Sequence, residues 1–196
     1  MDNSFKISCR FEAMQKTDLS RFDNSWYKPG NGVKRFLWMI TSSVFFAGGW
    51  CLLSFPKVWL LRLFGAKVGK GVVIKPRVLI KYPWMLSIGN HVWIGERVWI
   101  ENHTDTVIGE NCCLSQGAML LCGNHDYKKP TFDLIVGKIT LEEGVWIGAH
   151  AVVCPGVTCK SHSVLSVSSV ATHDLEAYSV YQGNPAKKIR ERVIKE

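Results

Sequence analysis

The stretch VGKGVVIKPRVLIKYPWMLSIGNHVWIGERVWIENHTDTVIGENCCLSQGAML, residues 68–120, places an aliphatic side chain on a six-residue beat. The frame runs Val68, Ile74, Ile80, then Ile88, Ile94, Ile100, then Ile108, Leu114, Leu120. It resumes as Leu141, Ile147, Val153, Cys159, Leu165 and Ala171, so that thirteen of the fifteen positions are Ile, Leu or Val. Such a period fits neither an α-helix, at about 3.6 residues per turn, nor one continuous strand, at about 2. It fits short strands joined by tight corners and stacked rung on rung. In a prism of three faces per turn, each frame residue points inward and stacks on its equivalent one turn on. Small or β-branched residues four places later (Val72, Val78, Val92, Val98, Ala118, Ala151, Val157) belong near corners. Glycines one place later (Gly69, Gly89, Gly95, Gly109, Gly148) are expected to relax the backbone where it bends.

The expected fold is mainly β: a parallel β-helix over residues 67–175, an N-terminal helical extension over 1–66, and a short basic C-terminal tail or helix over 176–196. The intervals Ile80–Ile88 and Ile100–Ile108 are eight residues, which puts a two-residue insertion at each of those corners. From Leu120 to Leu141 is 21 residues, so roughly thirteen leave the coil as a loop at about 122–138.

Seven cysteines, odd in number and without a CxxC pair, argue against a disulfide framework and for reduced, buried thiols in a cytoplasmic protein. The N-terminus MDNSFKISCRFEAMQ shows no secretory signal. Phe36–Phe55 is a run of twenty uncharged residues, long enough to raise a transmembrane helix. It is interrupted by Thr41, Ser42, Ser43, Gly48-Gly49 and Ser54, with basic residues on both sides, and helices packed against the coil or a neighbouring copy are the preferred reading. Val58–Phe64, with Arg62 inside it, reads as a short amphipathic helix. Between Asn24 and Gly95 there are ten Lys or Arg and no Asp or Glu. A basic solvated face explains that, and so does attraction to anionic lipid at the inner face of the cell membrane. Nucleic acid is the poorer partner, because no recognised binding motif accompanies the charge.

The loop opens Gly123-Asn124-His125-Asp126-Tyr127. A histidine at the root of the one long break in the repeat is the leading candidate for chemistry. His91, His103, His150, His162 and His173 lack that placement and read as structural or exposed.

These features together resemble the hexapeptide-repeat acyltransferases, which have a left-handed β-helix. The likeness is greatest to acetyltransferases of the colanic acid biosynthesis type. It is carried by the repeat, by the "G-(S/N/T)-H-(D/P)" element at His125, and by Leu60-Leu61-Arg62-Leu63-Phe64-Gly65-Ala66-Lys67-Val68-Gly69. It extends to Ile80-Lys81-Tyr82-Pro83-Trp84, to Leu19-Ser20-Arg21-Phe22, and to the Gly183-Asn184-Pro185-Ala186-Lys187-Lys188-Ile189-Arg190 tail. The resemblance implies O-acetyl transfer from acetyl-CoA to a sugar hydroxyl, in a homotrimer whose active sites lie between subunits. No metal is required. His125 would be the general base, since an imidazole can take a hydroxyl proton near neutral pH, and backbone N–H groups would steady the oxyanion. Glu101 and Asn102 match positions near the acceptor, and Asp126 is placed to orient either the histidine or the acceptor. Ala149 and Val167 match positions along the pantetheine arm; Thr172, Lys187 and Arg190 match positions near the nucleotide and its phosphates. No covalent nucleophile is implied, and Cys122, close by in sequence, is the residue to test as one. Cys159-Lys160-Ser161 and Ser166-Val167-Ser168 depart from the family's Ile-Gly and Gly-Ala-Gly steps, at corners beside the expected groove.

Two other readings share parts of the pattern. A catalytically silent β-helix scaffold would keep the aliphatic beat but has no use for the histidine loop and the NPAK tail. A β-helical carbonic anhydrase needs three histidine ligands and an H-x4-H pair, and no two histidines here have that spacing.

Overall fold

The inward positions of the repeat stack in three columns, and the columns are the fold. The computed structural model describes residues 15–195. One column is Val68, Ile88, Ile108, Leu141 and Cys159, paired in parallel register strand by strand. A second is Ile74, Ile94, Leu114, Ile147 and Leu165. The third is Ile80, Ile100, Leu120, Val153 and Ala171. All fifteen predicted frame positions are in these registers, and every one except the half-buried Val68 is buried. The result is a parallel β-solenoid of about six turns, built from strands of only two or three residues in the columns. Side chains one strand spacing apart, about 4.8 Å, pack directly on each other along the axis.

The corner chemistry differs from the expectation. Left-handed backbone falls three places after the frame residue, at Gly71, Arg77, His91, Arg97, Asn111, Gly117, Gly144 and His150, not one place after it. The glycines at frame-plus-one answer a different need. A Cβ on Gly89 would sit 2.5 Å from the backbone N of Glu110, and one on Gly148 would sit 2.6 Å from that of Val167. These glycines are required because the next turn's backbone crosses them too closely for any side chain.

A first turn has no predecessor, so the carbonyls of its strands lack ladder partners. The N-terminal segment supplies donors on all three faces. Trp38 Nε1 donates to the Ile80 carbonyl at 2.9 Å, and Lys57 Nζ to those of Ile74 and Lys75 at 3.0 and 3.1 Å. The Arg62 guanidinium donates to Val68 and Gly69 at distances of 2.8 to 3.1 Å. Trp38 belongs to helix α1, Gly32–Ser42, which is capped by the Asn31 side chain on Val33 N–H. A π turn, Ser43–Ala47, continues it, and Gly48-Gly49 stops it. Lys57 and Arg62 belong to α2, Ser54–Leu63. The apolar run at Phe36–Phe55 is thus split between two short helices. No helix among the described residues is long and apolar enough to cross a membrane.

The far end corrects the expected tail or helix. Ser179–Gly183 joins Val164–Leu165 in parallel as one more rung, and Ala186–Glu191 turns back against it antiparallel. An additional strand covers an edge that a loose tail would leave open. The expected 1–66 extension lies outside the described residues over 1–14, and so does Glu196 of the tail.

All three insertions leave the coil between the third column and the first. The long one stands on two feet, where Gly137 N–H donates to the Cys122 carbonyl at 2.9 Å. Its outer part, Asn124–Ile135, forms a separate compact unit with residues 15–28.

Candidate active site

The outer part of the loop is built to hold His125. Gly123–His125 pairs with Leu134–Val136 as a two-stranded ribbon, and Asp126 N–H donates to the Asp133 carbonyl at 2.8 Å. At the tip, the Asp126 carboxylate accepts Lys128 N–H at 3.1 Å, and Lys129 pairs with Asp133 at 2.9 Å. Phe132 closes the turn with φ of 52°, a conformation that bulky residues rarely adopt. This places its ring face to face with the His125 imidazole, centroids 4.5 Å apart and planes 8° apart. Its carbonyl lies 2.9 Å from His125 Nδ1. A carbonyl only accepts, so Nδ1 carries the proton and Nε2 of the neutral ring keeps its lone pair. Phe22, from the Leu19-Ser20-Arg21-Phe22 element, approaches the other way at 5.7 Å. Asp18 N–H, just before that element, donates to the Pro130 carbonyl at 2.8 Å.

Asp126 therefore does not orient the histidine as expected: its side chain caps the loop tip, and the orienting acceptor is the Phe132 carbonyl. Nothing in the sequence marks Phe132, because its part is played by a main-chain oxygen and an unusual φ.

In the coil, Glu101 and Asn102 lie at the second insertion, where their roles diverge. Asn102 is buried, accepting Tyr82 N–H at 3.0 Å and donating to the Tyr82 carbonyl at 2.6 Å. Both ends of its amide are spent locking one corner to the next, which corrects its expected place on an acceptor. Glu101 stays half-buried, 3.5 Å from both Lys81 Nζ and His103 Nε2. Lys81 Nζ and His103 Nε2 are 2.8 Å apart, and His103 packs over Gly123, where an added Cβ would meet its ring at 2.9 Å. His103, expected to be structural or exposed, thus belongs to a polar cluster with Glu101 and Lys81. Its place in an insertion one turn before the histidine loop was the available signal.

Cys122 is fully buried, with Sγ 3.1 Å from Thr106 Oγ1, and burial pushes its thiol up from the ordinary value. A thiol held protonated and enclosed is not a nucleophile.

A groove of about 610 Å³ runs along the outer face of the sheet that carries the second column. That is within the ~300–1,000 Å³ usual for small-molecule sites. Its floor holds Trp146, Gly148, Ala149, Val164 and Val167, and one wall is the strand end Arg190–Val193. Arg192 Nη1 donates to the Gly144 and His162 carbonyls at 2.9 and 3.0 Å, which pins that wall to the coil. Of the positions expected to bind cofactor, Ala149, Val167 and Arg190 line this groove. Thr172 and Lys187 do not: Thr172 is exposed with its hydroxyl 2.9 Å from His173 Nδ1, and Lys187 lies opposite Gln182 on the terminal hairpin. An extended apolar floor with an arginine at its wall suits an extended thioester arm that ends in phosphates. Among the described residues, no group of three or more His, Cys, Asp or Glu is placed to hold a metal ion.

No family model matches the chain. A relative from Escherichia coli (strain K12), bearing the name colanic acid biosynthesis acetyltransferase WcaF, is 38% identical over 177 residues, 90% of this chain and 97% of its own. Among solved structures, a galactoside acetyltransferase in complex with coenzyme A superposes with a TM-score of 0.73 at 25% identity, over 81% of this chain and 80% of its own. The hexapeptide-repeat containing acetyltransferase VCA0836 of Vibrio cholerae shares the fold, with a TM-score of 0.74 at 22% identity, over 81% of this chain and 90% of its own. With the coil, the histidine loop and the apolar groove in hand, the chain belongs to the hexapeptide-repeat, acyl-CoA-dependent acetyltransferases.

Proposed function

We propose that the protein transfers an acetyl group from acetyl-CoA to a sugar hydroxyl, in exopolysaccharide or lipid-linked oligosaccharide assembly, with His125 as general base. The observation that carries this reading is the bond between His125 Nδ1 and the Phe132 carbonyl, which leaves Nε2 as the proton acceptor. Nε2 takes the hydroxyl proton as the sugar oxygen adds to the thioester carbonyl. Collapse of the tetrahedral oxyanion breaks the C–S bond, and the imidazolium returns its proton to the departing thiolate. The products are an O-acetyl ester and coenzyme A, with no acyl-enzyme and no step that needs Cys122.

The groove with Ala149 and Val167 on its floor and Arg190 at its wall supports binding of acetyl-CoA there. Glu101, half-buried and flanked by Lys81 and His103, is proposed to accept hydrogen bonds from acceptor hydroxyls. The coil's outer faces expose Leu79, Trp93, Trp99 and Trp146. Aromatic surface of this kind supports side-by-side packing of coils as a homotrimer, with the donor groove completed by a neighbour. We place the protein in the cytoplasm, where acetyl-CoA is available, at the inner face of the cell membrane.

Mass spectrometry of glycans from cells with and without the protein tests the reading. An acetyl increment lost with the protein, and restored by wild type but not by His125→Ala, is expected. Identical glycans in all three would overturn it.

A further inference from the structure

We propose that the helical cap on the first turn is a docking surface for an anionic phospholipid bilayer, and that the protein sits with this end of the coil against the membrane. Helix α1 and the π turn that continues it turn an apolar stripe outward: Val33, Phe36, Leu37, Ile40 and Val44 are all exposed, at the i, i+3, i+4 spacing that makes one face. Helix α2 does the same with Phe55, Trp59 and Leu63, and the connecting segment adds Trp50, Leu52 and Leu53. Phe55 is 79% exposed and Leu52 and Leu53 are each 70% exposed. The inward sides of these helices hold Trp38, Lys57, Leu60 and Leu61, so the apolar residues outside are surplus to what the coil needs. The two stripes adjoin, since Val33 and Leu37 of α1 line one open depression together with Leu63 of α2.

A patch of this size marks an interaction surface, and the charge around it selects the partner. Ten of the 24 Lys and Arg, and none of the 16 Asp and Glu, fall between Asn24 and Gly95; this segment carries +10 and the rest of the chain −2. Arg35 and Arg62 are exposed on the helices themselves, and Lys67, Lys70, Lys75 and Arg77 are exposed on the first turn. Arg77 lies against the helical segment, where a Cβ on Gly49 would be 3.0 Å from its Nε. Apolar side chains ringed by cations, with no acidic residue among them, complement a hydrocarbon boundary beneath anionic headgroups. A neutral partner would need no such ring, and a second copy of the same surface would bring cations against cations.

Vesicle flotation with the full chain tests this, using phosphatidylcholine alone and phosphatidylcholine with phosphatidylglycerol. Binding is expected only to the anionic vesicles. It should weaken as salt rises from ~0.01 to ~1 M, where the Debye length falls from about 30 to about 3 Å. Phe55→Ser and Trp59→Ser, both exposed in the fold, are each expected to weaken binding about tenfold or more. Lys67→Glu with Lys70→Glu should weaken it further while leaving the thermal midpoint unchanged. For wild type, brominated anionic lipid should quench tryptophan fluorescence, with Trp50 and Trp59 the residues inserted. No binding to anionic vesicles, or equal binding to both kinds, would overturn the proposal. So would a loss of self-association in Phe55→Ser without any vesicle binding by wild type, which would assign the patch to another copy of the chain.

Discussion

Phe132 holds His125 twice, by a ring stacked at 4.5 Å and by a carbonyl 2.9 Å from Nδ1. One residue therefore fixes both the plane of the imidazole and the nitrogen that carries its proton. Phe132→Ala keeps the carbonyl but removes the ring, so the imidazole gains freedom to tilt. Small misplacements of a reacting group cost up to ~10²-fold, and turnover is expected to fall by about ten- to a hundredfold. Steady-state kinetics should place the loss in kcat, with the KM for acetyl-CoA unchanged. An unaltered kcat would show that the ring does not position the base.

Cys122 provides a control within the loop's foot. Its thiol is buried, raised by that burial, and close to Thr106 Oγ1. Cys122→Ala should leave turnover at the wild-type level and lower stability by about 1 kcal/mol, the scale of one hydrogen bond. Thiol titration should find the residue protonated through neutral pH. A large loss of kcat together with a trapped acyl-enzyme would reinstate a covalent route.

The donor groove yields a test of binding alone. Val167 is 62% exposed on its floor, so Val167→Trp fills the channel without disturbing the core. Acetyl-CoA affinity by calorimetry is expected to drop roughly ten- to a hundredfold, the equivalent of about 1–3 kcal/mol. Unchanged affinity would move the donor elsewhere.

Lys57 links the fold to pH. Burial holds its ammonium below the ordinary lysine value of 10.5. In the window just below that value the folded protein binds fewer protons than the unfolded chain, so Lys57 makes stability rise with pH there. Below the folded-state value both states are charged and the cost of burying the charge is carried in full. Lys57→Met should abolish that rise. It should also cost about 1–3 kcal/mol at neutral pH, because the Ile74 and Lys75 carbonyls lose their donor. Denaturant unfolding as a function of pH checks both effects.

The aliphatic frame was legible because a six-residue period is the direct imprint of three inward faces per turn, and each of its positions depends only on local alternation. Gly89 and Gly148 were found but misread, since the atoms that exclude a Cβ there belong to the following turn, about twenty residues away in sequence. Asn102 stood out only through the family resemblance, as a match to a position near the acceptor, yet its partners are main-chain atoms of Tyr82 in the preceding insertion. Lys57 reads only as charge, and Arg62 as part of an amphipathic helix and a family-like stretch; that they cap the open carbonyls of the first turn follows from the solenoid having an end. His125 stood out because it begins the one long break in the beat. Phe132 did not, because a backbone conformation and a carbonyl leave no mark on residue identity. The terminal hairpin was missed because Gly183-Asn184-Pro185 reads only as the start of a family-like basic tail, whereas here it reverses the chain onto its own last rung.

The rate of acetyl transfer by His125→Ala, with acetyl-CoA and the natural glycan acceptor, tests the central claim most directly. The variant is expected to melt at the wild-type temperature and bind acetyl-CoA as tightly, while kcat falls by about two to four orders of magnitude. Wild-type turnover in a folded His125→Ala protein would contradict the account, because the hydroxyl proton would then be taken by another group.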